Sequence, residues 1–244
     1  MTEAVFLSEP YRKTLRARVT ALTPEGGVVA DRTILYARGG GQPGDGGRLV
    51  WDGGACEIGS AVKGEAGAIV MVPAQPEPLP PTGAEIEIGV DWDRRHRHMR
   101  MHTALHLLSV IVPLPVTGGQ IGAEKSRLDF DMPDPTYERE ILQAHMAQLI
   151  NEDHPVTDEW IDEAELDANP GLVKTLRVQP PRGAGRIRLV RIGAGRDTVD
   201  LQPCGGTHVR STGEIGQVRI GKIENKGRSN RRISITLGDA SGAA

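Results

Sequence analysis

The chain has 244 residues, of which 38% are hydrophobic, 25% are charged and only 3% are aromatic, and its formal net charge at pH 7 is -3. This composition is typical of a globular protein with one large or two ordinary domains, whereas the acidic balance excludes a general attraction to phosphate, so any nucleic-acid contact requires a local basic patch. The two cysteines, Cys56 and Cys204, exclude a disulfide framework.

The beginning of the chain has neither the basic nor the apolar segment of a signal peptide. No stretch approaches the roughly 20 apolar residues that a membrane helix requires. We therefore expect a cytoplasmic protein without membrane contact, in a reducing compartment that also suits a metal-binding cysteine. We find no sign of an obligate protein partner.

Residues 1–91 carry short apolar runs separated by turn signals, a pattern typical of a small β-barrel. The Pro24-Glu25-Gly26-Gly27 turn predicts that the first two long strands form a hairpin. The predicted strands are residues 14–22, 28–35, 48–51, 68–72 and 84–90. We therefore expect a first, barrel-like domain over residues 1–91.

A glycine-rich segment, Arg38–Gly47, interrupts these strands. It contains too many glycines for a helix or a strand ladder, so it must be a loop. A flexible surface turn is one interpretation. Gln42 and Asp45 at fixed places within it also allow a loop that binds a ligand.

From Asp91 the pattern becomes helical. Asp93 is expected to cap a helix that continues through a basic segment to Val112 and ends at Pro113. His102 and His106 are four residues apart, so a helix places both on one face, although such a pair alone is more often structural. The intervening Thr103 argues against a metalloprotease, because His-Glu-x-x-His carries a glutamate there. His98, one turn earlier, remains a residue that supports a ligand, a competing ligand or a solvated residue.

Residues 92–244 predict a second domain of mixed helices and a mainly antiparallel sheet, which makes the whole chain α+β. Asp134-Pro135 is expected to open a second helix that carries Ile141, Leu142, His145 and Leu149 on one face. The other predicted elements are strands at residues 127–132, 156–160, 186–192 and 198–201 and a short helix at 162–168. Asp200 stands just before Cys204, where its carboxylate could orient a ligating histidine.

Cys204-Gly205-Gly206-Thr207-His208 forms the other half of a candidate metal site. The two glycines allow a tight turn that aims a thiolate and an imidazole the same way. With the two helical histidines this gives a His₃Cys set, which zinc prefers in tetrahedral coordination.

The chain closes with a predicted hairpin over residues 216–225 and 231–237. Its five cations are Lys222, Lys226, Arg228, Arg231 and Arg232. Such clusters are often only solvated faces, but in an acidic chain this one predicts a surface that contacts phosphates.

Taken together, these motifs resemble the alanyl-tRNA editing family, in particular the longer freestanding AlaX proteins, and are similar to the editing domain of alanyl-tRNA synthetase and, more distantly, that of threonyl-tRNA synthetase. The matching stretches are Gly39-Gly40-Gly41-Gln42-Pro43 with Asp45, Arg100 to Leu108, Cys204 to His208, Lys222 to Gly227, and Asn230-Arg231-Arg232. The resemblance implies that residues 92–244 are a zinc-binding editing domain with His102, His106, Cys204 and His208 as ligands.

The resemblance further implies a zinc-dependent deacylase, acting in trans on serine, and in some members glycine, wrongly attached to alanine tRNA. Thr33, Gln42 and Thr103 are candidates for recognising the serine hydroxyl, and Gln42 with the backbone of Gly39, Gly40 and Gly41 for approaching the reacting end of the tRNA. Two alternatives stay open: a structural zinc in a nucleic-acid-binding module, and a zinc hydrolase of small esters or amides.

Overall fold

The computed structural model describes residues 1–134, 137–175 and 185–238. The chain forms two compact units, Met1–His96 and Arg97–Ala244. Within the described residues no helix is both long and apolar enough to span a membrane.

A closed barrel of six strands is the core of the first unit, which confirms the predicted small barrel. Its strands are β2 (Thr14–Leu22), β3 (Val28–Ala30), β5 (Gly47–Trp51), β6 (Gly54–Lys63), β7 (Ile69–Pro73) and β8 (Glu85–Val90). They pair antiparallel in the order β2-β3-β7-β6-β5-β8, and β8 pairs with β2 to close the ring. Leu15, Ala17 and Val19 alternate inward along β2 and are buried, as a half-buried strand requires.

The predicted second strand, residues 28–35, was wrong in extent. It breaks at Asp31, whose carboxylate accepts the N–H groups of Arg18 and Arg32 and so replaces the ladder bonds. The segment after the break, β4 (Arg32–Thr33), pairs in parallel with β1 (Glu3–Ala4) instead. Strand β6 was missed altogether, since its glycines and its serine mask the alternation that its neighbours in the barrel impose.

Helix α1 extends over Trp92–Ile111 and ends just before Pro113, as expected. Its N-cap is Asp91 rather than Asp93, because the Asp91 carboxylate accepts the N–H of Arg94 at 3.2 Å. Residues along its later turns, including Met101, Leu105 and Leu108, are almost entirely buried.

In its described residues, the second unit contains two antiparallel sheets and two further α-helices. Its elements are β9 (Val116–Gln120), β10 (Lys125–Asp131), α2 (Arg139–Asn151), β11 (Val156–Asp162), α3 (Glu163–Ala168), β12 (Arg186–Ile192), β13 (Asp200–Pro203), β14 (Val218–Asn225) and β15 (Asn230–Leu237). One sheet has the order β14-β15-β10-β9 and the other β11-β12-β13. The predicted final hairpin is thus confirmed as β14 and β15, and the antiparallel character of this unit is confirmed as well.

Helix α2 differs from its prediction in start and orientation. It begins at Arg139 with Glu138 as N-cap, several residues after Asp134; Pro135 and Thr136 lie outside the described residues. Its buried residues are Leu142, Met146 and Ile150, whereas Ile141 and His145 are exposed. The Gln143 amide explains the rotation, because it donates to Val218 O and accepts from Ile220 N, tying the helix to β14.

Candidate metal centre

Four side chains converge in the second unit. His102 and His106 are supplied by α1, and Cys204 and His208 by the turn that follows β13. The three histidines are at least 93% buried, and one ligand atom from each of the four residues lies within 4.8 Å of the others. The helix brings its pair together by the i,i+4 spacing, and the turn after β13 brings the other pair to the same point.

The spacing of these atoms fits a zinc ion. In a tetrahedral zinc site with nitrogen at about 2.0–2.1 Å and sulfur at about 2.3 Å, a sulfur and a nitrogen ligand lie about 3.5 Å apart. Here Cys204 Sγ lies 3.5 Å from His102 Nε2 and 3.3 Å from His208 Nε2. One thiolate and three imidazoles are also the donor types that zinc takes. The four residues could therefore hold a metal ion of this size.

His106 is oriented by a buried polar network. Its Nδ1 lies 2.9 Å from Asp200 Oδ2, so the N–H donates to the carboxylate and Nε2 is left for a metal. Asp200 also accepts from Gln202 Nε2 at 2.7 Å and from Lys174 Nζ at 2.5 Å. Sequence reasoning had singled out Asp200 but neither Lys174 nor Gln202, which carry no signal of their own in the sequence.

His208 is oriented in the same way by Thr103. The Thr103 hydroxyl donates to Met99 O at 3.0 Å, so it accepts from His208 Nδ1 at 3.1 Å and from Val209 N at 3.3 Å. The hydroxyl is completely buried. These bonds place Thr103 in direct contact with His208, one of the four residues of the cluster.

Burial and neighbouring charges set the protonation of the cluster. Burial raises the pKa of the Cys204 thiol, but His102 and His208 outweigh it and hold that pKa well below its usual value. Burial and then the charge of His102 lower the pKa of His208 to about 3. Burial lowers the pKa of His106 too, but its hydrogen bond to Asp200 outweighs this and raises the pKa to about 9. The thiolate form that a metal requires is therefore favoured in advance, whereas His106 has to release a proton when a metal binds.

Arg188, on β12, is a further residue at this site that sequence reasoning missed. Its guanidinium donates to the carbonyls of Cys204 and Gly206, each at 3.0 Å, and its side chain is only 8% exposed. Arg188 and Arg186 are two residues apart, so strand alternation places them on the same face of β12. Since Arg186 is exposed, the pattern alone predicts that both side chains are solvated. Only the docking of the Cys204 turn beside β12 distinguishes them.

The glycine loop and Thr33 belong to the first unit. Gly39 and Gln42 exchange two backbone hydrogen bonds across a tight turn in which Gly40 and Gly41 have φ of +55° and +82°. Gln42 and Asp45 are buried, which argues against a freely flexible surface turn. Asp45 accepts from the buried Arg95 and from Tyr36 N, so the end of the loop is fixed to the barrel.

Thr33 is completely buried. Its hydroxyl oxygen accepts from Leu35 N at 3.1 Å, and among the described residues its proton has only the weak acceptor Met71 Sδ at 3.8 Å. The donor capacity of this hydroxyl is therefore largely uncommitted.

His98 is also buried, which excludes the interpretation as a solvated residue. Among the described residues, the group of side chains that could hold a metal does not include it.

Most cations of the basic hairpin, which is formed by β14 and β15, already have partners within the protein. Arg232 donates two bonds to Asp129, Lys226 pairs with Glu224 at 2.7 Å, and Arg231 donates to Pro133 O and Gly227 O. In the part of the chain that the structure describes, Lys222 and Arg228 form no ion pair. These two cations are the best placed to meet an external anion.

Comparison with known proteins gives one family match and several relatives. Residues 187–234 match the threonyl and alanyl tRNA synthetase second additional domain, a span that includes Cys204, His208 and the final hairpin. Over 98% of both chains, the protein is 35% identical to the alanyl-tRNA editing protein AlaX-M of Methanosarcina mazei. It is 29% identical to AlaX-L of Pyrococcus horikoshii over 98% of this chain and 58% of that protein. The alanine–tRNA ligase of Pyrobaculum arsenaticum is 36% identical over 97% of this chain, which corresponds to 27% of the ligase.

Proposed function

Because the chain belongs to the alanyl-tRNA editing proteins of the AlaX type, we propose that it hydrolyses serine from mischarged alanine tRNA in a zinc-dependent reaction. It is an aminoacyl-tRNA deacylase by this membership, and its full-length match to a freestanding editing protein supports editing in trans. Glycine is a second candidate amino acid, since it is smaller than alanine and a pocket for alanine cannot fully exclude it. A cytoplasmic location suits a substrate made for translation.

The His₃Cys cluster is the observation that carries the zinc dependence. Its donor types and its sulfur–nitrogen distances suit a zinc ion held by His102, His106, Cys204 and His208. When bound, zinc supplies a Lewis acid that can polarise a nearby oxygen or hold the amino group of the substrate. Asp200 and Thr103 contribute by fixing the ring orientations of His106 and His208.

The reaction itself is ester hydrolysis. The oxygen of a water molecule adds to the ester carbonyl carbon, whose oxygen becomes an oxyanion as the water loses a proton. The ribose oxygen then leaves with its bonding electrons and takes up a proton, which yields free serine and deacylated tRNA. The protein must position this ester and stabilise the oxyanion.

Serine differs from alanine by one hydroxyl, so an editing pocket gains selectivity by hydrogen bonding to that group. We propose that Thr33 and Gln42 contact the substrate hydroxyl. The uncommitted hydroxyl proton of Thr33 supports its role, and the buried position of Gln42 in the glycine loop supports the other. We assign Thr103 a different role, as the residue that orients His208. The backbone of Gly39, Gly40 and Gly41 remains our candidate for contact with the acceptor end of the tRNA.

The tRNA itself is proposed to meet the basic hairpin. Lys222 and Arg228 are its principal phosphate contacts, while Lys226, Arg231 and Arg232 add positive potential from within their own ion pairs and hydrogen bonds.

The deciding experiment compares hydrolysis of seryl- and alanyl-tRNA for alanine, with and without a chelator, alongside the zinc content of the protein. We expect chelator-sensitive hydrolysis of the seryl form and sparing of the alanyl form. Bound zinc and tRNA binding without hydrolysis would favour a structural zinc module. Hydrolysis of small esters that is insensitive to replacing Lys222 and Arg228 would favour a general zinc hydrolase.

A further inference from the structure

We propose that Arg188 fixes the Cys204–Gly205 peptide so that the Gly205 N–H donates a hydrogen bond to the oxyanion formed from the substrate ester. The inference rests on the proposed deacylation and adds a donor group and a positioning residue to it. It arises from three observations on the turn between β13 and His208.

The first observation is that Arg188 holds this turn from one side. Its guanidinium donates to Cys204 O and to Gly206 O, both at 3.0 Å, and its own backbone carbonyl accepts the Cys204 N–H at 3.1 Å. Both bonds come from one nitrogen, Nη1, whose N–H groups lie in the guanidinium plane, so a single buried group restrains both carbonyls. The Arg188 side chain is buried and β12 is paired with a strand on both sides, so this contact with the turn, which we call the Arg188 clamp, is rigid.

The position of Arg188 also sets the direction of the Gly205 N–H. A trans peptide is planar, and its C=O and N–H point in opposite directions. Since the Cys204 carbonyl points at Arg188, the N–H of Gly205 must point away from Arg188. The next amide, Gly206 N–H, donates to Cys204 Sγ at 3.4 Å, so the turn also contacts the sulfur of the candidate metal centre.

The third observation is that the Gly205 amide is available. Gly205 is exposed, and a Cβ built on it would meet no atom within 4 Å, so there is open space beside it. Among the described residues, none accepts a hydrogen bond from the Gly205 N–H. The neighbouring Gly206 and Thr207 are buried, whereas Gly205 is exposed.

These features suit the electrostatic demand of ester hydrolysis. When the water oxygen adds to the carbonyl carbon, the C=O electron pair moves to the carbonyl oxygen, and a fixed N–H stabilises that charge without reorganising. When the intermediate collapses, the C=O bond reforms and the ribose oxygen leaves. Removing one such donor lowers turnover by about 10²- to 10³-fold in other acyl-transfer enzymes.

The test compares Gly205→Pro, which lacks the N–H, with Gly205→Ala, which keeps it, in zinc-loaded protein. We expect kcat for seryl-tRNA hydrolysis to be about 10²-fold lower for the proline variant than for the alanine variant, with similar KM and zinc content. Equal kcat in the two variants would overturn the proposal. If proline releases zinc, an ester bond in place of the Cys204–Gly205 peptide removes only the N–H, and an unchanged rate there would overturn it.

The positioning role of the Arg188 clamp is tested separately. Arg188→Met should lower kcat more than KM while zinc affinity, measured by chelator competition, stays within a few-fold, and Arg188→Lys should recover part of kcat. Arg186→Met, on the same strand but away from the turn, is the matched control. A lower melting temperature with unchanged kcat in Arg188→Met would refute positioning. Wild-type protein that hydrolyses no seryl-tRNA would instead refute the proposed function itself.

Discussion

Asp200 offers a sharp test of how the candidate metal centre is built. Its carboxylate is completely buried and receives hydrogen bonds from His106, Gln202 and Lys174. The bond from His106 Nδ1 leaves Nε2 as the candidate ligand atom, and the negative charge would make the ring a better donor to a cation. Replacing Asp200 should therefore weaken zinc binding without removing any ligand.

The expected magnitude follows from the role of this carboxylate as the hydrogen-bond partner of His106. Removing the partner of a metal-ligating histidine lowers metal affinity by about 10- to 100-fold, or about 1.4 to 2.7 kcal/mol. Asp200→Asn keeps an oxygen that can accept from His106, so we expect a reduction near the lower end of this range. Asp200→Ala removes the acceptor and should fall near the upper end. Lys174 moderates both effects, since it is 28% exposed and can turn to water.

Zinc affinity is best measured by competition with a chromophoric chelator, and the zinc-dependent rise in melting temperature gives an independent reading. Glu224→Gln is a suitable control, because it breaks a similar carboxylate–lysine pair on the exposed hairpin. If Asp200→Ala binds zinc within twofold of wild type while Glu224→Gln does the same, the proposed orientation of His106 is wrong.

Three further predictions concern other parts of the molecule. Gln42→Ala should lower turnover of seryl-tRNA while the zinc content stays intact; unchanged turnover would remove this residue from the site. Replacing Lys222 and Arg228 by alanine should reduce the slope of log affinity against log salt by about 1 for each phosphate that the protein no longer neutralises, and an identical slope would place the tRNA elsewhere. Burial raises the pKa of Asp129, but Arg232 and the neighbouring arginine on β10 outweigh it and lower that pKa. Its contribution to stability is thus present above the unfolded value of about 3.9 and disappears as the pH falls through the lower folded value. Urea unfolding of wild type and Asp129→Asn should accordingly differ at pH 7 and converge in acid.

Local spacing in the sequence was sufficient to determine the metal ligands as candidates. His102 and His106 share a helix face wherever α1 forms, and Gly205 and Gly206 allow one turn to present Cys204 and His208 together. The final hairpin and most barrel strands were predictable for the same reason, since alternation and turn residues are local properties.

Interactions between distant residues had to come from the tertiary structure. Strand β6 is set by its barrel neighbours, and α2 is rotated because Gln143 bonds to β14, so neither appears in local periodicity. The supports of the metal site are likewise distant in sequence: Lys174 reaches Asp200 across 26 positions, and Thr103 reaches His208 across 105. Arg188 and Arg186 have the same residue type and the same place in the strand alternation. Only the docking of the Cys204 turn against β12 makes one of them a clamp and leaves the other in solvent.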